Sequence, residues 1–183
     1  MPLLGIAAAL LFSAAPDPTV SQKVIGDMGN VYLMEGSFEV TASPDLVWSV
    51  LTDYASHPGF LSDLKSSVVK ERKEGVTMVF QEAIGKVAMF TTTVQMLLQM
   101  KETPGAQIAF SDTLGKDFEL FEGSWKLSRS PKGLQVNYAL RCTPRKKAPG
   151  FIMGPIMEES TKRLMVAMRG EIEKRAVVAV AAR

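Results

Sequence analysis

Side chains suited to catalysis or metal binding are scarce in this sequence. It contains one histidine, His57, and one cysteine, Cys142. A structural zinc centre takes about four ligands, mostly cysteine and histidine, so these two residues cannot supply one. Cys142 alternates with Leu140 and Tyr138 as residues of a strand do, which favours a small buried hydrophobe over a reactive thiol. The sequence therefore predicts no metal site and no cofactor.

His57 is the obvious candidate for a general base. It stands beside Pro58, in a short segment that follows a predicted helix. A histidine in such a loop is ordinarily solvated or caps the helix, and we expect it to lie away from the inward-facing strand residues. Serine chemistry has no better support, because no Gly-x-Ser-x-Gly elbow occurs in the chain.

Four acidic residues are the other candidates for acid or base catalysis. Asp53 closes the predicted first helix, Asp112 follows a strand pattern, and Asp117 and Glu119 stand on either side of Phe118. One of them could be a buried acid, but their spacing does not choose among them. We therefore assign no catalytic residue, leave the question of enzymatic activity open, and favour a protein that binds without catalysis.

The elements that position these residues begin with a strand and a capped helix. Residues 38–41 alternate apolar and polar side chains, as a half-buried strand does. Ser43 then supplies an N-cap oxygen, and Pro44 has the backbone angle of a first helical turn. Apolar residues recur at helical spacing until Asp53, and Pro58 marks the aromatic loop that follows.

Beyond this start, strand patterns dominate the chain and are joined mostly by hairpin turns. Connections of this kind predict an antiparallel sheet of about seven strands. A long amphipathic helix over residues 156–178 follows the last strand, and its apolar side is expected to cover one face of the sheet. The strands are expected at residues 31–41, 67–73, 76–82, 86–100, 107–113, 121–128 and 134–142.

Three stretches resemble the START-like superfamily, which holds polyketide cyclases and dehydrases, coenzyme Q-binding proteins and lipid-transport proteins. They are FEVTASPDLVWSVLTDYASHPGFLSDL, DFELFEGSWKLSRSPKGLQVNYALRCTP and APGFIMGPI. The resemblance implies an α+β helix-grip fold, in which a curved antiparallel sheet wraps around the long C-terminal helix, with one or two short helices after the first strand. It also implies a tunnel between sheet and helix. Since the superfamily holds binders and enzymes alike, it does not decide between them.

Strand alternation and helix periodicity name the residues expected to line such a tunnel. They are mostly methionine and aromatic side chains, which suit an apolar ligand, although the same pattern is also typical of a filled core. The expected ligand-binding residues are Met34, Phe38, Phe80, Met89, Phe110, Trp125, Tyr138, Leu164, Met165 and Met168.

Two functions from different classes follow. The first is non-catalytic binding or transfer of a hydrophobic small molecule, either lipid-like or quinone-like. The second is a polyketide cyclase or dehydratase that acts on an aromatic or polyketide-type substrate. A binder needs only an apolar cavity, whereas an enzyme needs an acid or base with a positioned partner in that cavity. A filled-core domain that acts through its surface is the third reading.

The N-terminal part of the chain differs from the rest. Residues 1–18 contain an apolar run followed by small residues, which is typical of a signal or targeting segment. If it is a signal peptide, the protein is exported to the periplasm or the extracellular space; otherwise it is membrane-associated or cytoplasmic. Residues 19–30 are predicted to be a linker, and residues 31–183 a single START-like ligand-binding domain.

Basic residues concentrate towards the C-terminus. Residues 141–183 hold 10 Lys or Arg against 4 Asp or Glu, although the whole chain carries a net charge of +2. Residues 145–147 are all basic and lack the interleaved aromatic side chains of a nucleic-acid site, so no nucleic-acid partner is expected. The run is typical of a solvated loop, and it also suits transient contact with a membrane surface beside the tunnel.

Overall fold

The computed structural model describes residues 16–26, 31–87, 90–147 and 149–181, and most of the predicted signal segment lies outside these ranges. The described chain forms eight strands, two α-helices and one short 3₁₀ helix. The helices are α1 (Pro44–Thr52), the 3₁₀ helix (Tyr54–Gly59) and α2 (Gly150–Ala181). The strands are β1 (Thr19–Ile25), β2 (Val31–Val40), β3 (Leu64–Lys73), β4 (Val76–Val87), β5 (Phe90–Thr103), β6 (Gln107–Asp112), β7 (Phe118–Ser130) and β8 (Gly133–Pro144).

All eight strands belong to one antiparallel sheet with the order β1-β2-β8-β7-β6-β5-β4-β3. From β3 to β8, each strand pairs with the next strand along the chain, as in a hairpin. The second strand, β2, pairs with the last strand, β8. The sheet curves around α2, which packs chiefly on β1 and β2 and also contacts β4 and α1. The predicted helix-grip arrangement is confirmed. In the described ranges no helix is long and apolar enough to cross a membrane.

The sheet has one strand more than the seven predicted, and the extra strand lies in the predicted linker. Residues 19–25 form β1, which pairs along its whole length with β2. Its inward side chains, Val20 and Val24, are only partly buried against the core, and Gln22 lies between them. The linker prediction for these residues is wrong because so weak an alternation becomes a strand only through pairing with β2, which the local pattern does not show.

The predicted start of α1 is confirmed in its details. The Ser43 hydroxyl oxygen accepts a hydrogen bond from the backbone N–H of Leu46 at 3.3 Å, and Pro44 occupies the first turn. Val47, Val50 and Leu51 are buried and hold the helix against the core. The 3₁₀ helix continues the chain with scarcely an interruption, so residues 44–59 form one cover at the end of the sheet.

The last helix begins earlier than residue 156, because Gly154 and Pro155 do not interrupt it. The Pro149 carbonyl accepts the first helical hydrogen bonds, from the N–H groups of Ile152 and Met153. Pro155 is the sixth residue of α2, so its missing N–H leaves the Phe151 carbonyl without its helical hydrogen bond but does not end the helix. One face of α2 comes close to β2, where a side chain on Gly36 would meet the Met165 sulfur at 2.7 Å. Glycine at position 36 therefore lets the helix seat on the sheet.

Candidate functional site

A cavity of about 290 Å³ lies between the N-terminal half of α2 and the concave face of the sheet. We call it the outer chamber. Its wall is mostly apolar, with polar groups at its rim, where Asp117, Lys146 and Ser160 lie. The apolar wall includes Val94, Met96, Phe118, Phe121, Leu140, Met153, Ile156, Met157 and Leu164.

A second cavity of about 180 Å³, which we call the inner chamber, lies on the side of the grip near α1 and the 3₁₀ helix. Residues of α1, the 3₁₀ helix and the short segment after it close one side of it, and strands β3 to β8 and α2 form the rest. The two chambers adjoin, because both are lined by Ala83, Met96, Phe121, Tyr138 and Leu164. The side chains that line the inner chamber alone include Leu51, Tyr54, His57, Leu61, Met100, Phe110, Trp125 and Met168.

Aromatic rings form a continuous wall along β6, β7 and β8. Ring centroids are 4.8 Å apart for Phe118 and Phe121, 6.0 Å for Phe121 and Phe110, 6.0 Å for Phe110 and Tyr138, and 4.6 Å for Tyr138 and Trp125. Pairs of rings at such spacings attract each other and hold their side chains in fixed positions. The wall offers a flat, rigid apolar surface to whatever enters the two chambers.

The structure brings five of the ten predicted ligand-binding residues to these chambers. Phe110, Trp125 and Met168 line the inner chamber, whereas Tyr138 and Leu164 line both. They reach it from β6, β7, β8 and α2, so the predicted meeting of sheet and helix produces the cavity wall.

Three predicted residues lie instead where the core is filled. Met34, Phe38 and Met165 are buried in the hydrophobic core and line neither chamber. Met165 packs over Gly36, and Met34 lies between the partners Gln22 on β1 and Leu140 on β8. The helix α2 contacts the sheet at β2 and lies farther from the strands that line the chambers. The cavity therefore lies to one side of the contact between α2 and β2. Met89 lies outside the described residues.

Phe80 faces away from the helix, and the expectation that it faces inward is wrong. The next residue back, Val79, is fully buried on the concave face, so the strand directs Phe80 to the outer face. There the ammonium group of Lys70 lies 5.6 Å from the centre of its ring. Phe80 therefore makes a contact between β3 and β4 on the outer face of the sheet.

Several lining residues were absent from the predicted set. Met96, Leu98 and Met100 alternate inward along β5, and the same alternation applied to that strand could have found them. Tyr54 and His57 could not be found in this way, because the 3₁₀ helix that carries them has no periodic apolar pattern.

His57 is buried in the wall of the inner chamber, so of its two expected roles the structure shows helix capping and not solvation, and its expected distance from the inward-facing residues is wrong. Its Nε2 donates a hydrogen bond to the Val50 carbonyl at 3.1 Å, which caps one of the last carbonyls of α1. Its ring also meets Tyr54 and Phe60 edge-on, at centroid distances of 5.7 and 5.6 Å. Burial lowers the pKa of His57 below the usual value, so the imidazole stays neutral.

We expect this burial to make the free energy of unfolding fall as the pH falls below about 6.5, the ordinary histidine pKa. The unfolded chain takes up a proton there first, whereas the folded protein does so only at the lower pKa of its buried imidazole. Urea unfolding at pH 7.0 and 5.5 should show a loss of about 1 kcal/mol. The difference should largely disappear in His57→Gln, and an equal loss in that variant would assign the pH dependence to other groups.

Three of the four acidic candidates, Asp53, Asp112 and Asp117, have structural partners. The Asp112 carboxylate accepts hydrogen bonds from the backbone N–H groups of Leu97, Leu114 and Gly115 at 2.9 to 3.1 Å, which holds the turn after β6. Asp117 accepts one from the N–H of Gln95 at 2.8 Å. Glu119 is exposed.

Two carboxylates tie α2 to the segments that close the inner chamber. Arg175 pairs with Asp53 at 3.1 Å, just beyond α1, and Arg163 pairs with Asp63 at 2.7 Å, just before β3. The pairs join parts of the chain that are 122 and 100 residues apart, respectively. Their position favours a role in holding the cavity closed on this side.

Other reactive groups are also held in the structure. The Tyr54 hydroxyl donates to Glu102 Oε1 at 2.9 Å, and the Thr77 hydroxyl donates to the same oxygen at 2.8 Å. Cys142 is buried, which raises the pKa of its thiol to about 12 and makes it unreactive near neutral pH. Across the described residues, no three His, Cys, Asp or Glu side chains lie close enough to hold a metal ion.

The rim of the outer chamber combines basic and apolar side chains. Lys146 lines the chamber and Lys147 follows it in an exposed loop. The first turn of the next element, α2, contains Phe151, of which 81% is exposed, and Ile152, of which 38% is exposed. Large apolar side chains beside free cations are typical of a surface that meets a lipid interface.

Comparison with known proteins agrees with this architecture. The sequence profile of the family described as polyketide cyclase / dehydrase and lipid transport matches residues 40–169. No curated protein is significantly similar to the chain in sequence.

Solved structures show the same fold at low sequence identity. An aromatase/cyclase, Zhui, from a Streptomyces species is 19% identical, with a TM-score of 0.66 over 79% of this chain and 95% of its own. A STAR-related lipid transfer protein from Xanthomonas axonopodis is 16% identical, with a TM-score of 0.65 over 83% and 98%. A START superfamily protein from Mycobacterium smegmatis is 16% identical, with a TM-score of 0.64 over 78% and 97%. These neighbours include enzymes and carriers, so they do not separate the two functions.

Proposed function

The chain belongs to the polyketide cyclase, dehydrase and lipid transport family, and on this basis we propose that it binds or transfers a hydrophobic small molecule, lipid-like or quinone-like, without catalysis. The observation that carries the proposal is the apolar outer chamber of about 290 Å³ between α2 and the sheet. Ligand pockets are mostly apolar with a few placed polar groups, and this cavity has that character.

The polar groups around the cavity favour binding over a cyclase or dehydratase reaction. An acid or base catalyst needs a carboxylate or imidazole that can exchange protons with the ligand. Asp63 is paired with Arg163, Asp117 accepts a backbone hydrogen bond, and His57 Nε2 is bonded to Val50. Each of these groups already serves the fold, which supports a container more than a reaction centre.

Two methionines of α2 provide a matched test of the cavity. Met168 lines the inner chamber, whereas Met165 lies against Gly36 and lines neither chamber, and both side chains are at most 1% exposed. Met168→Gln should weaken binding of hexylnaphthoquinone about tenfold, because the ligand then meets a polar amide. Quenching of tryptophan fluorescence gives the affinity, and urea unfolding gives the stability.

Met165→Gln is the control and should have the opposite profile. Its amide enters a packed region and should reduce the free energy of unfolding by about 3 kcal/mol, with more destabilisation than Met168→Gln. The affinity of the folded protein should change little. Equal destabilisation by both substitutions, with no binding to the wild-type protein, would show a filled core and end the proposal.

We also propose that the rim of the outer chamber contacts anionic membranes transiently. Its support is the exposed Phe151 beside Lys146 and Lys147, since each basic residue near an anionic surface contributes about 1 kcal/mol. Phe151→Asp should reduce co-flotation with phosphatidylglycerol vesicles at least threefold. Val177→Asp changes another exposed apolar residue at the far end of α2 and should leave flotation unchanged; equal effects of the two substitutions would exclude the rim as the contact.

A further inference from the structure

Two polar groups in the aromatic wall have no partner. Trp125 and Tyr138 are register partners on β7 and β8, with ring centroids 4.6 Å apart. Only 8% of Trp125 and 7% of Tyr138 is exposed. Within the part of the chain that the structure describes, neither the indole N–H nor the phenolic hydroxyl makes a hydrogen bond. Burying such groups without a partner costs free energy.

Both groups keep some accessible surface. Among the described residues, Gln22 Oε1 is the one fully enclosed side-chain oxygen or nitrogen that lacks a partner. The Trp125 N–H and the Tyr138 hydroxyl, which also lack partners, are therefore not fully enclosed. Both residues line the inner chamber, and Tyr138 lines the outer chamber as well. A molecule that spans the two chambers passes these two groups.

The chemistry of the pair limits what it can bind. An indole N–H only donates a hydrogen bond, whereas a tyrosine hydroxyl donates or accepts. Two donors in one wall suit an oxygen that accepts. No lysine or arginine of the described chain lines the inner chamber, and Asp63 lies in its wall. An ionised carboxylate would lack a counter-ion there, so a neutral carbonyl is favoured.

We propose that Trp125 and Tyr138 form a carbonyl-binding site inside the cavity, so that the ligand is a neutral apolar molecule with a quinone, ketone or ester oxygen. The inference rests on the proposed binding function and narrows its ligand class. The aromatic wall beside the two donors supports a flat ring next to the carbonyl, since Phe110 stacks with Tyr138 at 6.0 Å.

A pair of ligands and a pair of variants test the site. Hexylnaphthoquinone and hexylnaphthalene have the same ring system and chain, but only the quinone carries acceptor oxygens. Tyr138→Phe removes the hydroxyl and keeps the ring. Titration calorimetry should show that it lowers quinone affinity about fivefold, the effect of one lost hydrogen bond, and leaves hexylnaphthalene affinity within about twofold.

Two controls keep the result specific. Thr52→Val removes a hydroxyl that donates to the Trp48 carbonyl at 2.9 Å and lines neither chamber, so it should not change the preference for quinone. The unfolding midpoint of Tyr138→Phe should not fall, because the hydroxyl it removes has no partner in the protein.

The outcomes separate the two levels of the proposal. If wild-type protein binds both ligands and Tyr138→Phe weakens them equally or not at all, the carbonyl site is wrong and the cavity remains a binding site. If wild-type protein binds neither ligand, both the carbonyl site and the proposed binding function are overturned. A selective loss for the quinone supports both.

Discussion

Replacing Ala83 with phenylalanine should reduce the affinity for hexylnaphthoquinone at least a hundredfold. Ala83 points inward from β4 and lines both chambers. A phenyl ring at this position would occupy the space where the two chambers adjoin, so a ligand would have to displace it. A hundredfold loss corresponds to about 2.7 kcal/mol, which is of the size expected when a packed apolar ligand loses its site.

The free energy of unfolding should change by less than 1.5 kcal/mol in the same variant, because the new ring enters a void and not a packed core. The control is Thr93→Phe, which places the same ring on the exposed face of β5. It should leave affinity unchanged. Tight binding to the Ala83→Phe protein would show that the ligand occupies a site other than the chambers, even if the fold is intact.

Local chemistry was enough to predict the main elements of this fold. A serine that caps a helix and a proline in the next position act through contacts within a few residues, and the structure has them as predicted. The antiparallel sheet followed from hairpin turns, which also act locally. The strand β1 was not predicted, because it forms by pairing with β2 and the residues of β1 do not by themselves identify that partner.

The error at Phe80 has a physical origin in the inward polar residues of β4. Thr77 and Gln81 face the core side, where the Thr77 hydroxyl donates to Glu102 and the Gln81 amide donates to Ser67 Oγ at 3.2 Å. These hydrogen bonds make burial of the polar groups tolerable. The apolar pattern of the strand then indicates the wrong face, and only the pairing with β3 and β5 reveals the right one.

The candidate site was harder to predict than the fold, because a cavity depends on side chains that fail to meet. Met165 and Met168 are three residues apart on the same apolar face of α2, yet one lies on a glycine of β2 and the other borders a void. Helical periodicity placed both inward and could not separate them. The difference depends on how closely the sheet approaches the helix at each strand.

Gly123 is a position where the packing of β7 against its neighbouring strands leaves no room for a side chain, and Gly123→Ala should be among the most destabilising single substitutions in the protein. A methyl group there would overlap the Ala139 carbonyl oxygen and lie 2.5 Å from Cζ of Phe110. The first of these atoms is backbone held in the β7–β8 pairing, so it cannot move without breaking the sheet. We expect urea unfolding to show a loss of about 3 kcal/mol, at the upper end of what overpacking costs.

The effect should also reach the cavity, because Phe110 is the register partner of Gly123 and its ring forms the middle of the aromatic wall. The control is Gly170→Ala on α2, where an added methyl group meets nothing within 4 Å. It should stabilise the helix by up to about 1 kcal/mol. A Gly123→Ala protein as stable as the wild type would mean that β7 and β8 can separate at little cost. The wall would then be an adaptable surface, and the selectivity expected of Tyr138 would have to come from elsewhere.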